Sequence, residues 1–280
     1  MNIIKWACSR VGVRRLEFGS ALDTGKTRQH KKNQDNLAIL HRASSRPMVI
    51  IADGMGGYEG GALASQLVIK AFKRGYKPLG STYLADPDLK NIVRDAHTQI
   101  IQKSRKNPDF SRMGSTVVAV SIDLDSNQLT VINVGDSRAY LFTKQSITQI
   151  SYDHSEVAEL VRNNAITPEE ALTYSRKNVL SMSISAAREE GKLTPYLQTV
   201  DFPPESVLLL CSDGLWGPVS ENLIQMIALE YPPEEAAKRL AETANMNGGP
   251  DNISVVIVRR KGEWQNYRAH NSINFDETKP

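Results

Sequence analysis

The sequence predicts an α+β fold, and two observations lead to that prediction. Apolar runs with the composition of β-strands cluster along the chain, and some are separated by links short enough for hairpins. Segments with helical spacing of apolar residues come in pairs instead of alternating one by one with the strands. This order favours one or two antiparallel sheets packed against helices over a regular βαβ array.

Six runs are predicted as strands because they are apolar and are bounded by turn residues. They are residues 48–52, 115–124, 129–134, 139–142, 206–212 and 252–260. The link DLDSNQL between the second and third runs is rich in turn residues. These two strands are therefore expected to form a hairpin.

Five segments are predicted as helices from the spacing of their apolar residues. They are residues 61–76, 86–107, 167–178, 220–230 and 233–246. The third opens with Thr167, Pro168 and Glu170, which is the pattern of a capping box. Its amino-terminal boundary is therefore expected at Thr167.

Composition and charge narrow the functional classes. The 280-residue chain is 40% hydrophobic, so a buried core is expected, and its net charge of +3 argues against nucleic acid as a partner. The two cysteines, Cys8 and Cys211, are expected to be reduced thiols. No apolar run has the length of a membrane span, so a cytoplasmic protein without a membrane partner is expected.

Four aspartates stand at the ends of apolar strands, and their positions suggest chemistry. They are Asp53, Asp136, Asp213 and Asp251. The strand ends of one sheet can converge at a single rim, so these acids either form a shared cluster or serve separately as turn residues. Clustered carboxylates repel one another and therefore require cations.

Oxygen ligands favour Mg²⁺ or Mn²⁺ over zinc, and the five histidines show no zinc-site spacing. Gly54 follows Asp53 directly. On this interpretation its carbonyl turns toward a metal ion, and its missing side chain leaves room for metal-bound water.

Seven motifs in a fixed order resemble one known family. They are NQDN (33–36), ADGMGGYEGGALAS (52–65), MGSTVVAV (113–120), NVGDSRAYLF (133–142), DHS (153–155), SDGLWG (212–217) and GGPDNISVVIV (248–258). From about Gly19 to about Arg260 the chain resembles the bacterial branch of the metal-dependent PP2C (PPM) family of Ser/Thr protein phosphatases. The resemblance implies a four-layer αββα sandwich, two antiparallel sheets covered by helices, with a helical flap insert and metal ions at one end.

The resemblance also implies roles for individual residues. By motif position, Asp53 would bridge two Mn²⁺ or Mg²⁺ ions, the Gly54 carbonyl would join it on the second ion, and Asp213 and Asp251 would complete the first. Asp136, together with Asp213, matches the residues that hold a weaker third ion.

Asp35 matches a residue that steadies waters at the second ion. The implied reaction is hydrolysis of phosphoserine or phosphothreonine in proteins, by attack of a hydroxide that bridges the two ions. The implied partner is a protein phosphorylated by a bacterial-type Ser/Thr kinase.

The substrate-binding arginine departs from the family pattern. The family places it three residues before the motif Asn, where this chain has His30, and Arg28 lies two residues further away. Arg28 is therefore expected to bind the substrate phosphate. The alternative is that Lys31 or Lys32 does so as a point charge. Gln34 stands where the family usually has Glu.

Three regions are predicted: an N-terminal extension (1–18), a phosphatase domain (19–261) and a polar C-terminal tail (262–280). Residues 156–178 match the flap, and the alternative for them is a plain pair of surface helices. Two other functions remain open. One is a pseudophosphatase that binds a partner, which the retained aspartates disfavour, and the other is a phosphatase for small phosphoesters. A self-contained fold of this kind is expected to be a monomer.

Overall fold

A computed structural model of the chain describes residues 16–41, 46–57, 59–76 and 86–260. The strands in these ranges are Leu16–Asp23 (β1), Asn36–Leu40 (β2), Met48–Ala52 (β3), Gly54–Met55 (β4), Gly114–Ser115 (β5), Val117–Asp123 (β6), Gln128–Val134 (β7), Arg138–Phe142 (β8), Ile147–Gln149 (β9), Ile184–Ser185 (β10), Tyr196–Asp201 (β11), Val207–Cys211 (β12) and Ile253–Arg260 (β13).

The helices are Gly60–Gly75 (α1), Asp86–Lys106 (α2), Glu156–Arg162 (α3), Pro168–Thr173 (α4), Asp213–Trp216 (α5), Glu221–Glu230 (α6) and Pro233–Met246 (α7). Two short 3-10 turns, Lys26–Arg28 and Pro108–Phe110, accompany them. The Thr167 side chain and the Glu170 side chain form the predicted capping box at the start of α4.

Two five-stranded sheets make up the centre of the fold. The first has the order β1-β13-β12-β8-β9 and the second the order β11-β7-β6-β3-β2, and all neighbouring strands in both are antiparallel. A small sheet, β10-β5-β4, lies beside them. The predicted hairpin between β6 and β7 is confirmed.

Alternating side chains fill three hydrophobic layers, which explains why several strands are apolar on both faces. In β3, Val49 and Ile51 pack between the two sheets, whereas Met48, Ile50 and Ala52 pack against α1 and α2. The strand β12 divides in the same way, and its other face packs against α6 and α7. The predicted four-layer αββα sandwich is confirmed.

Some of the predicted boundaries differ from the observed ones. The run 115–124 is two strands, because the chain breaks at Thr116, whose backbone N–H donates to the Asp53 carbonyl at 2.8 Å. The predicted helix 167–178 ends at Thr173. The strands β1, β2, β4, β9, β10 and β11 were not predicted.

Several predictions concern the ends of the chain. Residues 1–15 of the predicted N-terminal extension, Cys8 among them, and the whole predicted tail lie outside the described residues. Cys211 is a buried free thiol, as predicted. Within the described ranges, no helix combines the length and the apolar character that crossing a membrane requires.

Candidate functional site

The four aspartates at strand ends come from both large sheets. Asp53 directly follows β3 of the second sheet, Asp213 follows β12 of the first, and Asp251 lies two residues before β13. Asp136 lies in the turn between β7 and β8, where the chain passes from the second sheet to the first. The prediction that the strand ends of a single sheet bring these acids together is therefore wrong. They come together because the two sheets pack against each other.

The structure brings these four acids, and Asp35, into one cluster. The charge of Asp53 interacts with those of Asp35, Asp213, Asp136 and Asp251. Asp35 and Asp136 are buried, while Asp53, Asp213 and Asp251 keep a partly exposed side. The cluster interpretation therefore holds over that of separate turn residues.

The acids of this cluster resist ionisation. Burial raises the pKa of Asp53 and of Asp213 well above the usual range, and the neighbouring carboxylates raise both further. Burial also raises the pKa of Asp136 to about 6, with the charge of Asp153 adding to the effect. Such a cluster is most stable when protons or cations reduce its negative charge.

The carboxylate of Asp35 is hydrogen-bonded through one of its two oxygens. Its Oδ2 accepts hydrogen bonds from the hydroxyls of Ser212 (2.8 Å) and Ser254 (2.6 Å). Burial raises the pKa of Asp35 to about 6, although these two hydrogen bonds act in the opposite direction. Its Oδ1, like Oδ1 of Asp213, is buried without a hydrogen-bond partner in the described part of the chain. Unpaired buried carboxylate oxygens are the donors that a hard divalent cation or its waters would satisfy.

Asp251 is engaged by a cation from the protein itself. Its Oδ1 pairs with Nη1 of Arg28 at 2.5 Å and accepts the backbone N–H of Asn252 at 2.7 Å. Across the described residues, no three Asp, Glu, His or Cys side chains form a ready ligand set for one metal ion. A metal ion that bound Asp251 would compete with the Arg28 guanidinium, and the remaining ligand positions would fall to backbone carbonyls or waters.

Gly54 is required by close approach of the backbone. A Cβ at this position would overlap the Gly61 carbonyl and come within 2.6 Å of the Gln34 carbonyl oxygen. The expectation that its missing side chain leaves room for metal-bound water is therefore wrong, because protein backbone fills that space. The side chain of Gln34 donates to the Gly57 carbonyl at 2.7 Å and so ties the same segments together.

A cation–aromatic contact joins the two segments that carry Asp136 and Asp213. The indole N–H of Trp216, on the helix that starts at Asp213, donates to the Asp136 carbonyl at 3.0 Å. The guanidinium of Arg138 lies 3.7 Å from the centroid of the Trp216 ring and pairs with Asp153 at 2.7 Å. Arg138 therefore has a structural role as the partner of a carboxylate.

His154 also has a structural role, because its Nδ1 accepts the backbone N–H of Gly135 at 3.3 Å. Sequence reasoning missed Thr116, Ser212 and Ser254. In the sequence, each is simply a hydroxyl residue within or beside an apolar strand. Many solvent-facing residues have the same sequence context, so this feature does not identify a site.

Comparison with known proteins settles the family. The model of the family described as "Protein phosphatase 2C" matches residues 24–253. The chain belongs to the protein phosphatase 2C family. The predicted resemblance is confirmed.

Named relatives of this phosphatase include "Serine/threonine phosphatase stp" of Listeria welshimeri. It is 34% identical over 242 residues, with 85% of this chain and 93% of the relative covered. Among solved structures, Stp1 from Staphylococcus aureus matches with a TM-score of 0.81 and 30% identity, over 92% of this chain and 100% of its own. The catalytic domain of the phosphatase PstP, solved with two manganese ions, matches with a TM-score of 0.74 and 34% identity, over 88% and 98%.

Proposed function

We propose that this phosphatase is metal-dependent and hydrolyses phosphoserine and phosphothreonine in proteins. The observation that carries the proposal is the cluster of five aspartates at one rim of the sandwich, in which two buried oxygens have no hydrogen-bond partner among the described residues. The relatives from Listeria welshimeri and Staphylococcus aureus are named serine/threonine phosphatases, which supports the same substrate class.

The metal ligands proposed for this chain follow the motif positions. Asp53 and the Gly54 carbonyl would hold one divalent ion, and Asp53, Asp213 and Asp251 the other. Asp136 would hold a third ion together with Asp213. The two manganese ions in PstP support a pair of core ions, and the all-oxygen donor set suits Mn²⁺ and Mg²⁺ alike.

Asp35 would act on the waters of the site instead of binding a metal ion directly. Its Oδ2 is fully engaged by Ser212 and Ser254, which leaves Oδ1 as the one oxygen available to the site. The two hydroxyls thereby fix the orientation of the carboxylate. We include Asp35 in the metal centre in this indirect sense.

Two divalent ions, when bound, supply a water acidic enough to attack phosphorus as a bridging hydroxide, and they neutralise charge on the phosphoryl oxygens. The residues of the chain hold the acids in place for this chemistry. The backbone N–H of Asp53 donates to the Thr116 hydroxyl at 3.1 Å, while the Ser115 hydroxyl donates to the Asp53 carbonyl at 3.0 Å. Both hydrogen bonds fix the turn after strand β3, in which Asp53 lies.

No described cysteine offers a rival nucleophile. Cys211 is fully buried in the core between the first sheet and its helices. Burial raises the pKa of its thiol far above neutrality, so the reactive thiolate does not form there. Attack by water therefore remains the mechanism that the described residues support.

Metal removal is the direct test. We expect hydrolysis of p-nitrophenyl phosphate and of a phosphothreonine peptide with Mn²⁺ or Mg²⁺, and a loss of about a thousandfold or more in excess chelator. Adding metal back should restore the rate. Folded protein that turns over neither substrate with any metal would favour the pseudophosphatase instead, and turnover of the small ester alone would favour a small-phosphoester phosphatase.

Arg28 is proposed to bind the substrate phosphate, and replacing it tests this role. Arg28→Gln should raise KM about tenfold or more, because a charged hydrogen bond to phosphate is lost, while Arg28→Lys should restore part of the affinity. Steady-state kinetics at saturating metal would measure both. If Arg28 serves only to neutralise Asp251, the variant will change the metal concentration for half-maximal activity and leave KM unaltered.

The remaining proposals concern the surroundings of the site. We propose a phosphatase domain over residues 19–261, with residues 156–178 as a substrate-facing flap. The helices α3 and α4 lie there, and Glu156 pairs with Arg176 across them at 2.8 Å. We also propose a cytoplasmic monomer that opposes a Ser/Thr kinase, because phosphoproteins arise where ATP is available.

A further inference from the structure

A short cationic segment borders the aspartate cluster. Residues 26–32, which we name the basic loop, read KTRQHKK and contain four Lys or Arg residues within seven positions. The side chains of Lys26, Lys31 and Lys32 are exposed, whereas Arg28 is partly buried against Asp251. A concentration of positive charge is unexpected for a protein with a net charge of only +3.

The basic loop is anchored to the segment that carries Asp251. The backbone N–H and the hydroxyl of Thr27 both donate to the Gly249 carbonyl, at 3.1 and 2.9 Å. The backbone N–H of Lys26 donates to Oδ1 of Asn245 at 2.8 Å. At Gly25, φ is +79° and a Cβ would overlap the Asp251 carbonyl, so the entry to the loop requires glycine.

The far end of the loop is fixed at the same site. The backbone N–H of Gln34 donates to Oδ1 of Asn252 at 2.8 Å, and Asp35 follows at once in the cluster. The five loop residues 28–32 therefore lie between two anchored positions, Thr27 and Gln34. This places the cations beside the position where the phosphate of a substrate would enter.

Within the described part of the chain, the lysines of the loop form no salt bridge with an acidic residue. Among the residues that the structure describes, Arg28 is the one member of the loop that makes a salt bridge, and it does so with Asp251. Lys31 lies close enough for its charge to act on Asp251, in concert with Arg28. Lys26 and Lys32 are therefore available, with Lys31, to an anionic group from outside.

We propose that the basic loop binds acidic residues next to the phosphorylated residue, so that the preferred substrates are phosphoproteins with Asp or Glu beside the phosphosite. This inference rests on the proposed phosphatase function and specifies its substrate class. The aspartate cluster repels an acidic peptide, and the loop offsets that repulsion at the rim. Exposed ion pairs are individually weak, so two or three of them would act on KM in a manner sensitive to salt.

The test compares two phosphothreonine peptides of identical length, one with Glu and one with Gln on both sides of the phosphoresidue. We expect kcat/KM to be about five- to tenfold higher for the Glu peptide at low ionic strength, with most of the difference in KM. The double variant Lys31→Gln/Lys32→Gln should reduce the preference to about twofold or less. The readout is the ratio of kcat/KM between the two peptides, because this ratio does not depend on any change that the variant makes to the turnover of p-nitrophenyl phosphate.

A charge-matched control separates the loop from net charge. Lys70→Gln/Lys73→Gln removes two exposed lysines from α1, which lie about 14 and 18 Å along the helix from Gly61 at the rim. This variant should keep the preference of the wild type. Equal loss in both variants, or no preference in the wild type, would overturn the inference.

Failure of the proposed function can be told apart from failure of this inference. Turnover of p-nitrophenyl phosphate without discrimination between the peptides contradicts the inference alone. If no substrate is turned over, fluorescence anisotropy with the same two labelled peptides still decides, because equal dissociation constants would refute binding by the loop.

Discussion

Replacing Asp213 by asparagine is expected to reduce the metal-dependent kcat by about a thousandfold or more, while the folded protein becomes more stable. Asn has the same shape, so the helix that starts at this residue can form as before. The lost carboxylate would, by our proposal, contact one core ion and the third ion, and charge stabilisation of that kind dominates phosphoryl transfer. The kinetic effect should therefore appear at every metal concentration.

The gain in stability has a separate cause. Asp213 lies among four other carboxylates, and Asp136 and Asp251 raise its pKa further after burial. Removing one negative charge from this cluster should raise the free energy of unfolding of the metal-free protein by roughly 1–3 kcal/mol at pH 7.5. Urea denaturation in excess chelator would measure this. Functional residues that lower stability are expected where a site is built for a ligand.

The matched control is Asp201→Asn. Asp201 is exposed and pairs with Gln128 at the start of β7, about 20 Å along that strand from the turn with Asp136. It should change neither kcat nor the free energy of unfolding. If Asp213→Asn kept wild-type turnover, or if Asp201→Asn lost as much, the aspartate cluster could not be the reaction centre.

The ends of strands β3 and β12 could be predicted from the sequence because these strands are unusually apolar. Met48–Ala52 and Val207–Cys211 pack against another sheet on one face and against helices on the other, so every residue in them is buried. An acid that follows such a run stands out in the sequence. The positions of Asp53 and Asp213 at the rim follow from that contrast alone.

The meeting of these acids was not predictable in the same way. Asp53 and Asp213 belong to different sheets, and only the packing of Val49 and Ile51 against Leu208 and Leu210 brings their strand ends together. Periodicity reports which face of a strand is buried and says nothing of its partner across the core. The hydrophobic pattern alone did not predict that two sheets pack face to face. That prediction came from the resemblance to a known family.

Two of the strands that were not predicted were missed for the same physical reason. Tyr196–Asp201 is an edge strand with partly exposed side chains, and Leu16–Asp23 mixes polar and apolar residues because it too lies at a sheet edge. Edge strands need no continuous apolar run. The hydroxyls of Ser212 and Ser254 were missed since their importance depends on Asp35, which only the folded chain places between them.

Acidification is expected to stabilise the metal-free protein. The pKa values of Asp35 and Asp136 are about 6 in the folded chain, against a usual value of 3.8, and those of Asp53 and Asp213 are raised as well. A carboxyl whose pKa is raised by folding favours the folded state when protonated. That advantage is complete below pH 3.8 and is lost as the pH rises through the folded value.

Between pH 5 and 7.5, in excess chelator, the free energy of unfolding should therefore fall. Over this pH range the decrease is on the order of 1.4 kcal/mol each for Asp35 and Asp136, or about 3 kcal/mol together, which corresponds to a decrease in Tm of roughly 5–10 °C. Asp123 acts in the opposite direction at lower pH. Hydrogen bonds from Ser126 and from the Asp125 backbone outweigh its burial and lower its pKa, so its stabilising effect disappears below about pH 4.

Metal should reverse this trend, and the reversal tests the site without any measurement of activity. A divalent ion binds the ionised carboxylates, so protons compete with it and acidification should weaken its stabilising effect. At pH 7.5, Mn²⁺ at a hundred times its dissociation constant should raise the free energy of unfolding by about 2.7 kcal/mol for one site and by about 5.4 kcal/mol for the two proposed core sites, which is more than Asp35 and Asp136 lose on deprotonation. With Mn²⁺ present, Tm should thus rise from pH 5 to 7.5, whereas with chelator it should fall. Parallel pH profiles in the two conditions would show that the cations do not bind at the aspartate cluster, because only that cluster links metal binding to these protons.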